Sequence, residues 1–196
     1  SVNEIIQMMI GREVTHHYPP KPPFDDSRQP ALTVSNLSWG HDLNGISFTA
    51  GKGEIVGLGG LDGQGQRELL LALFGVLKGV EGTVSIDGRN LQLSGPRSAM
   101  TAPLPLALIP EDRKVEGLML PMSVRDNLTL ASLQQLRSGL GIDTEKETAA
   151  VKEMVARMQI KAPDTSAAVG TLSGGNQQKV VLAKWLMTDP GIILLN

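Results

Sequence analysis

The chain has 196 residues, of which 41% are hydrophobic and 19% are charged, so it is long enough for one large domain or two small ones with an ordinary globular core. Its formal net charge of -2 gives no global attraction to DNA or RNA, and no nucleic-acid partner is expected. The absence of cysteine excludes disulfides, cysteine metal ligands and cysteine nucleophiles. No apolar run approaches the roughly 18–20 residues of a membrane-spanning helix, and no signal pattern opens the chain.

The first 30 residues contain two segments of different composition. Apolar residues from Val2 to Ile10 have helical spacing, and the segment Pro19–Pro23 is rich in proline. Proline cannot continue a helix, so this segment predicts an extended linker. A helix that ends against a linker, with no domain before it, indicates a piece of a longer polypeptide.

From Ala31 onward, predicted strands alternate with predicted helices, which indicates an α/β core. Alternating or continuous apolar runs predict strands over 32–37, 45–49, 54–58, 82–88, 106–110 and 192–195. The run 54–58 is expected to be a buried strand.

Helices are predicted at four places in the same region. One follows a glycine-rich turn and covers 68–77, and another follows Ser173. Ser123 and Thr144 are each predicted to begin a helix, because each has an acidic residue three positions later, Asp126 and Glu147.

The glycine-rich turn reads Gly60-Leu61-Asp62-Gly63-Gln64-Gly65, followed by Gln66 and Arg67. Such a turn before a helix presents backbone N–H groups to phosphate. In the P-loop form G-x-x-x-x-G-K-[ST], lysine neutralises the terminal phosphates and the hydroxyl binds magnesium. Gln66 carries no charge and Arg67 cannot coordinate a cation. Two interpretations stay open: a phosphate cradle whose catalytic part is damaged, and a glycine-rich turn with no ligand.

The second notable helix start reads Leu172-Ser173-Gly174-Gly175-Asn176-Gln177-Gln178-Lys179. Serine is a good N-cap, since its hydroxyl can accept from an unpaired backbone N–H. Two glycines in the first turn each cost about 1 kcal/mol of helix propensity against alanine. They make sense if a charged ligand must touch the backbone at the positive end of the helix.

This octapeptide resembles the signature motif of ATP-binding-cassette (ABC) domains, written L-S-G-G-Q in most members, and its N-Q-Q-K continuation resembles the monosaccharide-importer branch. The order of motifs is similar as well, with the signature about 110 residues after the glycine cradle and a last strand about 20 residues later. That strand resembles the Walker B strand, with Asn196 at the position of its aspartate. Pro110-Glu111-Asp112-Arg113 is similar to the Q-loop segment of second cassettes, with Glu111 at the glutamine position.

The resemblance implies an α/β fold, a P-loop NTPase of ABC type. Its parts would be a RecA-like core, an N-terminal antiparallel β subdomain, and a helical signature subdomain at about 122–187. Residues 1–30 would be the tail of a preceding cassette with its linker. Residues 31–196 would be a second nucleotide-binding domain, incomplete and truncated at its C-terminal end.

Two cassettes of this family pair head to tail and hold ATP between the P-loop of one and the signature of the other. By resemblance, residues 60–67 would contact ATP, Trp39 would stack on adenine or pack in the core, and residues 172–177 would complete the partner's site. No catalytic residue of the chain's own site is intact, because four positions depart from the family pattern: Gln66, Arg67, Glu111 and Asn196. ATP and Mg²⁺ are therefore expected to bind weakly at this face, and no protein metal site is expected.

The partners implied are the other nucleotide-binding domain, a transmembrane permease subunit and, indirectly, a periplasmic or extracellular sugar-binding protein. The expected location is the cytoplasmic face of the inner membrane, as a peripheral subunit that couples ATP hydrolysis to uptake of a ribose-, galactose- or xylose-type sugar. Two alternatives stay open. One is a non-transport ABC ATPase acting on a ribosome or nucleic acid, and the other is a catalytically silent regulatory cassette.

Overall fold

The computed structural model describes residues 29–139 and 141–196. The helix and linker expected before residue 29 lie outside these residues, and the domain boundaries expected at residues 30/31 and at 122–187 stay predictions. None of the helices in residues 29–139 and 141–196 has the length and hydropathy of a membrane span.

An antiparallel sheet holds four strands in the order β2-β1-β3-β4, namely β1 (Pro30–Trp39), β2 (Leu43–Gly51), β3 (Glu81–Ile86) and β4 (Arg89–Leu91). Val34 of β1 lies opposite Phe48 on one side and Val84 on the other. Because alternate residues of a strand face the same side, the apolar positions of three strands meet on one face. The three strands predicted in this region are confirmed.

A second, parallel pair joins β5 (Leu106–Ile109) to β8 (Ile192–Leu195), with Leu106 opposite Ile192. The remaining elements are α1 (Gln66–Leu73), α2 (Pro96–Met100), a π-helical turn (Arg113–Gly117), α3 (Val124–Thr129), β6 (Arg137–Ser138), β7 (Gly141–Ile142), α4 (Thr144–Arg157), a 3-10 turn (Val169–Thr171) and α5 (Gly174–Leu186). Parallel strands linked through helices confirm the α/β class.

Two hydrophobic clusters form the core. The first lies between the antiparallel sheet, α1 and the parallel pair, and the second lies between α3, α4 and α5. Trp185 of α5 packs against both clusters, and its ring meets Phe74 edge-on at 5.5 Å between centroids. An edge-to-face aromatic pair adds about 0.5–1.5 kcal/mol to the burial of its area. Helix α5 is therefore fixed to the strands as well as to its neighbouring helices.

The buried strand expected over 54–58 is wrong. These residues are irregular, and Ile55 is 97% exposed. A strand persists only when a neighbour satisfies its N–H and C=O groups. Among the described residues β8 pairs with β5 alone, and the backbone bond that Glu54 makes is a turn contact to Gly51 O at 3.2 Å. Residues 54–58 are mostly apolar, but they have no neighbouring strand to pair with among the described residues, so they do not form a strand here.

Helix α1 begins two residues earlier and ends four residues earlier than the expected 68–77. Gly75, at φ 77°, ends it with the bond pattern of a Schellman motif: Gly75 N–H donates to Ala72 O, and Val76 N–H donates to Leu71 O. A side chain at Gly75 would also meet the backbone of Gly95 at 2.8 Å.

The two predicted capping boxes have different outcomes. Ser123 caps α3 and exchanges bonds with Asp126, as expected. Helix α4 begins at Thr144, but its N-cap is Asp143, whose carboxylate accepts from Lys146 N–H at 3.0 Å. Glu147 pairs instead with the guanidinium of Arg125, so the predicted helix start at Thr144 is confirmed, but it is not made by a capping box between Thr144 and Glu147.

Candidate functional site

The start of α5 presents a cluster of free hydrogen-bond donors. Ser173 is the N-cap, yet its side chain caps no backbone N–H. The first internal bond of the helix runs from Gln177 N–H to Ser173 O at 2.9 Å, so three N–H groups before it have no partner among the described residues, those of Gly174, Gly175 and Asn176. The purely structural interpretation of Ser173, in which its hydroxyl caps one of these N–H groups, is therefore not what the structure has.

The Ser173 hydroxyl is oriented by Asn176. The amide nitrogen Nδ2 of Asn176 donates to Ser173 Oγ at 3.0 Å, and its Oδ1 accepts from Lys161 N–H at 2.9 Å. Because the hydroxyl accepts here, its own hydrogen is free to donate elsewhere. Ser173 is exposed, so an exposed hydroxyl and three backbone N–H groups converge on the positive end of one helix.

Gln177 has a different position from the residues before it. Its side chain is 5% exposed and donates to Leu172 O at 3.1 Å and to the carbonyls of Val169 and Gly170 at 3.4 Å. Leu172 is also buried. These two members of the predicted signature set therefore hold the 3-10 turn against α5 and face away from solvent.

The glycine-rich turn, Gly60–Gly65, leads into α1 as predicted. Gly65 is the N-cap at φ 93°, and a Cβ there would lie 2.5 Å from Asp42 O, so glycine is required. The interior of the turn is not empty: Gln66 Nε2 donates to Leu61 O at 3.2 Å, and Gln64 Oε1 accepts from Leu61 N–H at 3.3 Å. A Cβ on Gly60 would overlap Gln66 Nε2. The side chain at the lysine position therefore folds back into the turn.

Arg67 points away from the turn. Its guanidinium pairs with Glu116 of the π-helical turn at 2.7 Å, and both side chains are about 40% exposed. Such a half-exposed pair contributes about 0–1 kcal/mol. Arginine cannot be a metal ligand, so Arg67 does not fit the hydroxyl's role toward Mg²⁺, and no group of three His, Asp or Glu residues that could hold a metal occurs in the described ranges.

The carboxyl ends of β5 and β8 bring two more predicted residues together. Asn196 N–H donates to Ile109 O at 3.1 Å, so Asn196 lies beside the strand end that leads into Glu111. Trp39 lies apart from them at the end of β1, half-buried, with its indole N–H donating to Lys78 O at 2.9 Å. A stacking role for Trp39 stays a prediction.

Lys184 is a residue that sequence reasoning missed. It lies on the buried face of α5, 8% exposed, and its ammonium donates to Gly117 O at 2.5 Å. With Arg67 on the other side, it attaches the π-helical turn to both α1 and α5. A lysine directly after an apolar run in a predicted helix, Val180-Val181-Leu182-Ala183, was the signal that could have found it.

The titration of Lys184 gives a testable effect on stability. Burial lowers the pKa of Lys184 below its ordinary value of 10.5. Between the lowered pKa and 10.5 the unfolded chain binds more protons than the folded one, so the free energy of unfolding is expected to rise with pH across that window. Comparison of denaturant unfolding from about pH 8 to about pH 10.5 for the parent and Lys184→Met checks this. The difference between the two curves should change with pH; a constant difference would show that Lys184 titrates normally.

Residues 43–196 match the protein family described as "ABC transporter". The chain is 53% identical over 193 residues to the ribose import ATP-binding protein RbsA 1 of Rhizobium johnstonii, which covers 98% of this chain and 38% of that protein. It is 41% identical over 197 residues to the ribose import ATP-binding protein RbsA of Lactococcus lactis subsp. cremoris, covering 100% and 39%. The chain thus spans about two fifths of the length of these curated relatives.

Solved structures with a similar fold include a nucleotide-free ATP-binding cassette from an ABC transporter (TM-score 0.67, 21% identity, 85% of this chain and 68% of that one). Another is a dimeric ATP-binding cassette in a post-hydrolysis state, bound to ADP and phosphate (TM-score 0.68, 21% identity, 84% of this chain and 72% of that one). At this identity the likeness concerns the fold, and it confirms the expected architecture.

Proposed function

Because the chain belongs to the ABC transporter family, as its match over residues 43–196 shows, we propose that it is part of the ATP-binding subunit of a sugar importer. In this proposal ATP binding and hydrolysis by the whole polypeptide drive uptake of a monosaccharide. Its support is the identity of 53% to a ribose import ATP-binding protein across 98% of the chain. The signature-bearing helix start of α5 is the working part of this cassette.

The observation that carries the mechanism is the open helix start at Ser173. An anion placed there would receive hydrogen bonds from three backbone N–H groups and one hydroxyl, all already oriented. Donors that need no rearrangement stabilise developing charge on a transferring phosphoryl group more than mobile ones do. We assign this surface to the terminal phosphate of ATP held by the partner cassette.

The chain's own glycine-rich turn is proposed to bind nucleotide weakly. Gln66 fills the turn and supplies no charge, and Arg67 is engaged by Glu116. Each charge-assisted hydrogen bond lost to phosphate is worth about 1.5–3 kcal/mol. Since Arg67 at the hydroxyl position cannot coordinate Mg²⁺, no catalytic step is assigned to a metal at this face.

The proposed partners follow from these two roles, a signature surface that acts on a neighbour's ATP and a glycine-rich turn that binds nucleotide weakly. A second nucleotide-binding domain supplies the nucleotide that Ser173 faces, and a transmembrane permease carries the sugar, fed by a sugar-binding protein outside the membrane. The cassette would lie peripherally on the cytoplasmic face of that membrane. A nucleic-acid partner is not proposed, since a net charge of -2 gives no overall attraction to the phosphates of DNA or RNA.

The test is ATP-driven uptake by the whole assembly. The complete two-cassette polypeptide, the permease and the binding protein would be reconstituted in vesicles and supplied with radiolabelled ribose, galactose or xylose. The proposal expects uptake of at least one pentose or hexose that requires ATP on the cassette side. ATP hydrolysis that no monosaccharide stimulates, together with co-purification of the polypeptide with ribosomes, would contradict it.

A further inference from the structure

The guanidinium of Arg113 lies next to the first residue of α5, Gly174. It is the first residue of the π-helical turn that follows β5, and its Nη2 is 2.8 Å from the point where a Cβ on Gly174 would stand. The nearest atom to that point is therefore a guanidinium nitrogen rather than backbone. Gly174 leaves room for a cation that any larger residue would push aside.

The guanidinium of Arg113 has no acceptor among the described residues. Its Nε is buried without a partner, and none of its N–H groups takes part in a hydrogen bond or ion pair of the described ranges. The rest of the turn is well fixed: Asp112 accepts from Lys114 N–H at 2.8 Å, and Glu116 pairs with Arg67. The turn holds Arg113 in place while leaving its five donors unused.

This arrangement is electrostatically unfavourable by itself. The N-terminus of a helix carries partial positive charge, and a cation placed beside it is repelled. The repulsion becomes attraction when an anion lies in front of both, because a guanidinium is a planar fork that matches phosphate oxygens. An anion bound here would therefore be stabilised by both Arg113 and the three free N–H groups of α5.

We propose that Arg113 contacts the terminal phosphate of ATP at the site completed by this helix start, as a donor additional to Ser173 and the backbone. This rests on the proposed function, in which that phosphate is held by the partner cassette. Arg113 would thereby make the closed nucleotide sandwich respond to the phosphate that distinguishes ATP from ADP.

The experiment compares Arg113→Met and Arg113→Lys in the complete two-cassette polypeptide assembled with its permease. Arg89→Met is the matched control, since Arg89 is exposed in the antiparallel sheet and has no partner role at α5. Three quantities are measured: kcat/KM for ATP, the affinity for ADP, and the midpoint of thermal unfolding. Ser173→Arg is measured in parallel.

Arg113→Met is expected to lower kcat/KM for ATP by on the order of 10- to 100-fold, with Arg113→Lys in between and ADP affinity unchanged, since ADP lacks the contacted phosphate. Unchanged ATPase in Arg113→Met, while Ser173→Arg abolishes activity, would overturn the role of Arg113 alone. Equal losses for ATP and ADP with a lowered unfolding midpoint would show a structural role and would also overturn it. If both Ser173→Arg and Arg113→Met leave ATP hydrolysis unchanged, the result would contradict the proposed function as well as the role of Arg113.

Discussion

Ser173→Arg is expected to reduce ATP hydrolysis by the assembled transporter by on the order of 10²- to 10³-fold. The change removes the exposed hydroxyl that Asn176 orients at 3.0 Å and places a long side chain in front of the free N–H groups of Gly174 and Gly175. Loss of a single preorganised donor to a developing negative charge has an effect of this size in other enzymes. Phosphate release at saturating ATP, measured on the complete polypeptide with its permease, checks the result.

The matched control is Ser138→Arg, because Ser138 is an exposed serine in the β6–β7 hairpin. It makes the same change in size and charge away from the start of α5, and activity should be unchanged. Ser173→Ala separates the two components of the effect, since it removes the hydroxyl and leaves the backbone donors accessible. Full activity in Ser173→Arg would mean that this helix start is not part of the hydrolytic site.

Local signals predicted most of the elements correctly. The apolar alternation in β1 to β3, the continuous runs in β5 and β8, and the start of a helix after Ser173 all appear where they were expected. These features depend on neighbours in sequence, such as the capping box between Ser123 and Asp126. The resemblance to ABC domains is local in the same sense, because the octapeptide 172–179 is contiguous in the chain.

Several of the errors and omissions have one cause, which is that contacts distant in sequence decided them. Whether 54–58 becomes a strand depends on an edge to pair with, and its apolar residues do not report that. The ion pair of Arg67 with Glu116 spans 49 positions, and the bond from Lys184 to Gly117 O spans 67. The helix end at Gly75 and the caps at Asp143 and Ser173 are exceptions, since residues close in sequence decide them.

The second large prediction concerns the chain's own turn. The double change Gln66→Lys with Arg67→Thr is expected to tighten ATP binding at this cassette by roughly 10- to 150-fold, the value of one charge-assisted hydrogen bond of about 1.5–3 kcal/mol. Lysine at position 66 replaces the amide that donates to Leu61 O with a charged group. Threonine at position 67 supplies the hydroxyl of the P-loop pattern in place of the guanidinium. The pair with Glu116 is lost, at a cost of about 0–1 kcal/mol. Hydrolysis should not follow, because Glu111 and Asn196 are unchanged.

Equilibrium dialysis with radiolabelled ATP distinguishes affinity from turnover, since the number of tight sites per complete polypeptide should rise from one to two. The matched control is Gln92→Lys with Arg89→Thr, which makes the same residue changes on exposed positions at the end of the antiparallel sheet. It should leave the count at one. If the double change at Gln66 and Arg67 also leaves one tight site, these two side chains are not what weakens the turn.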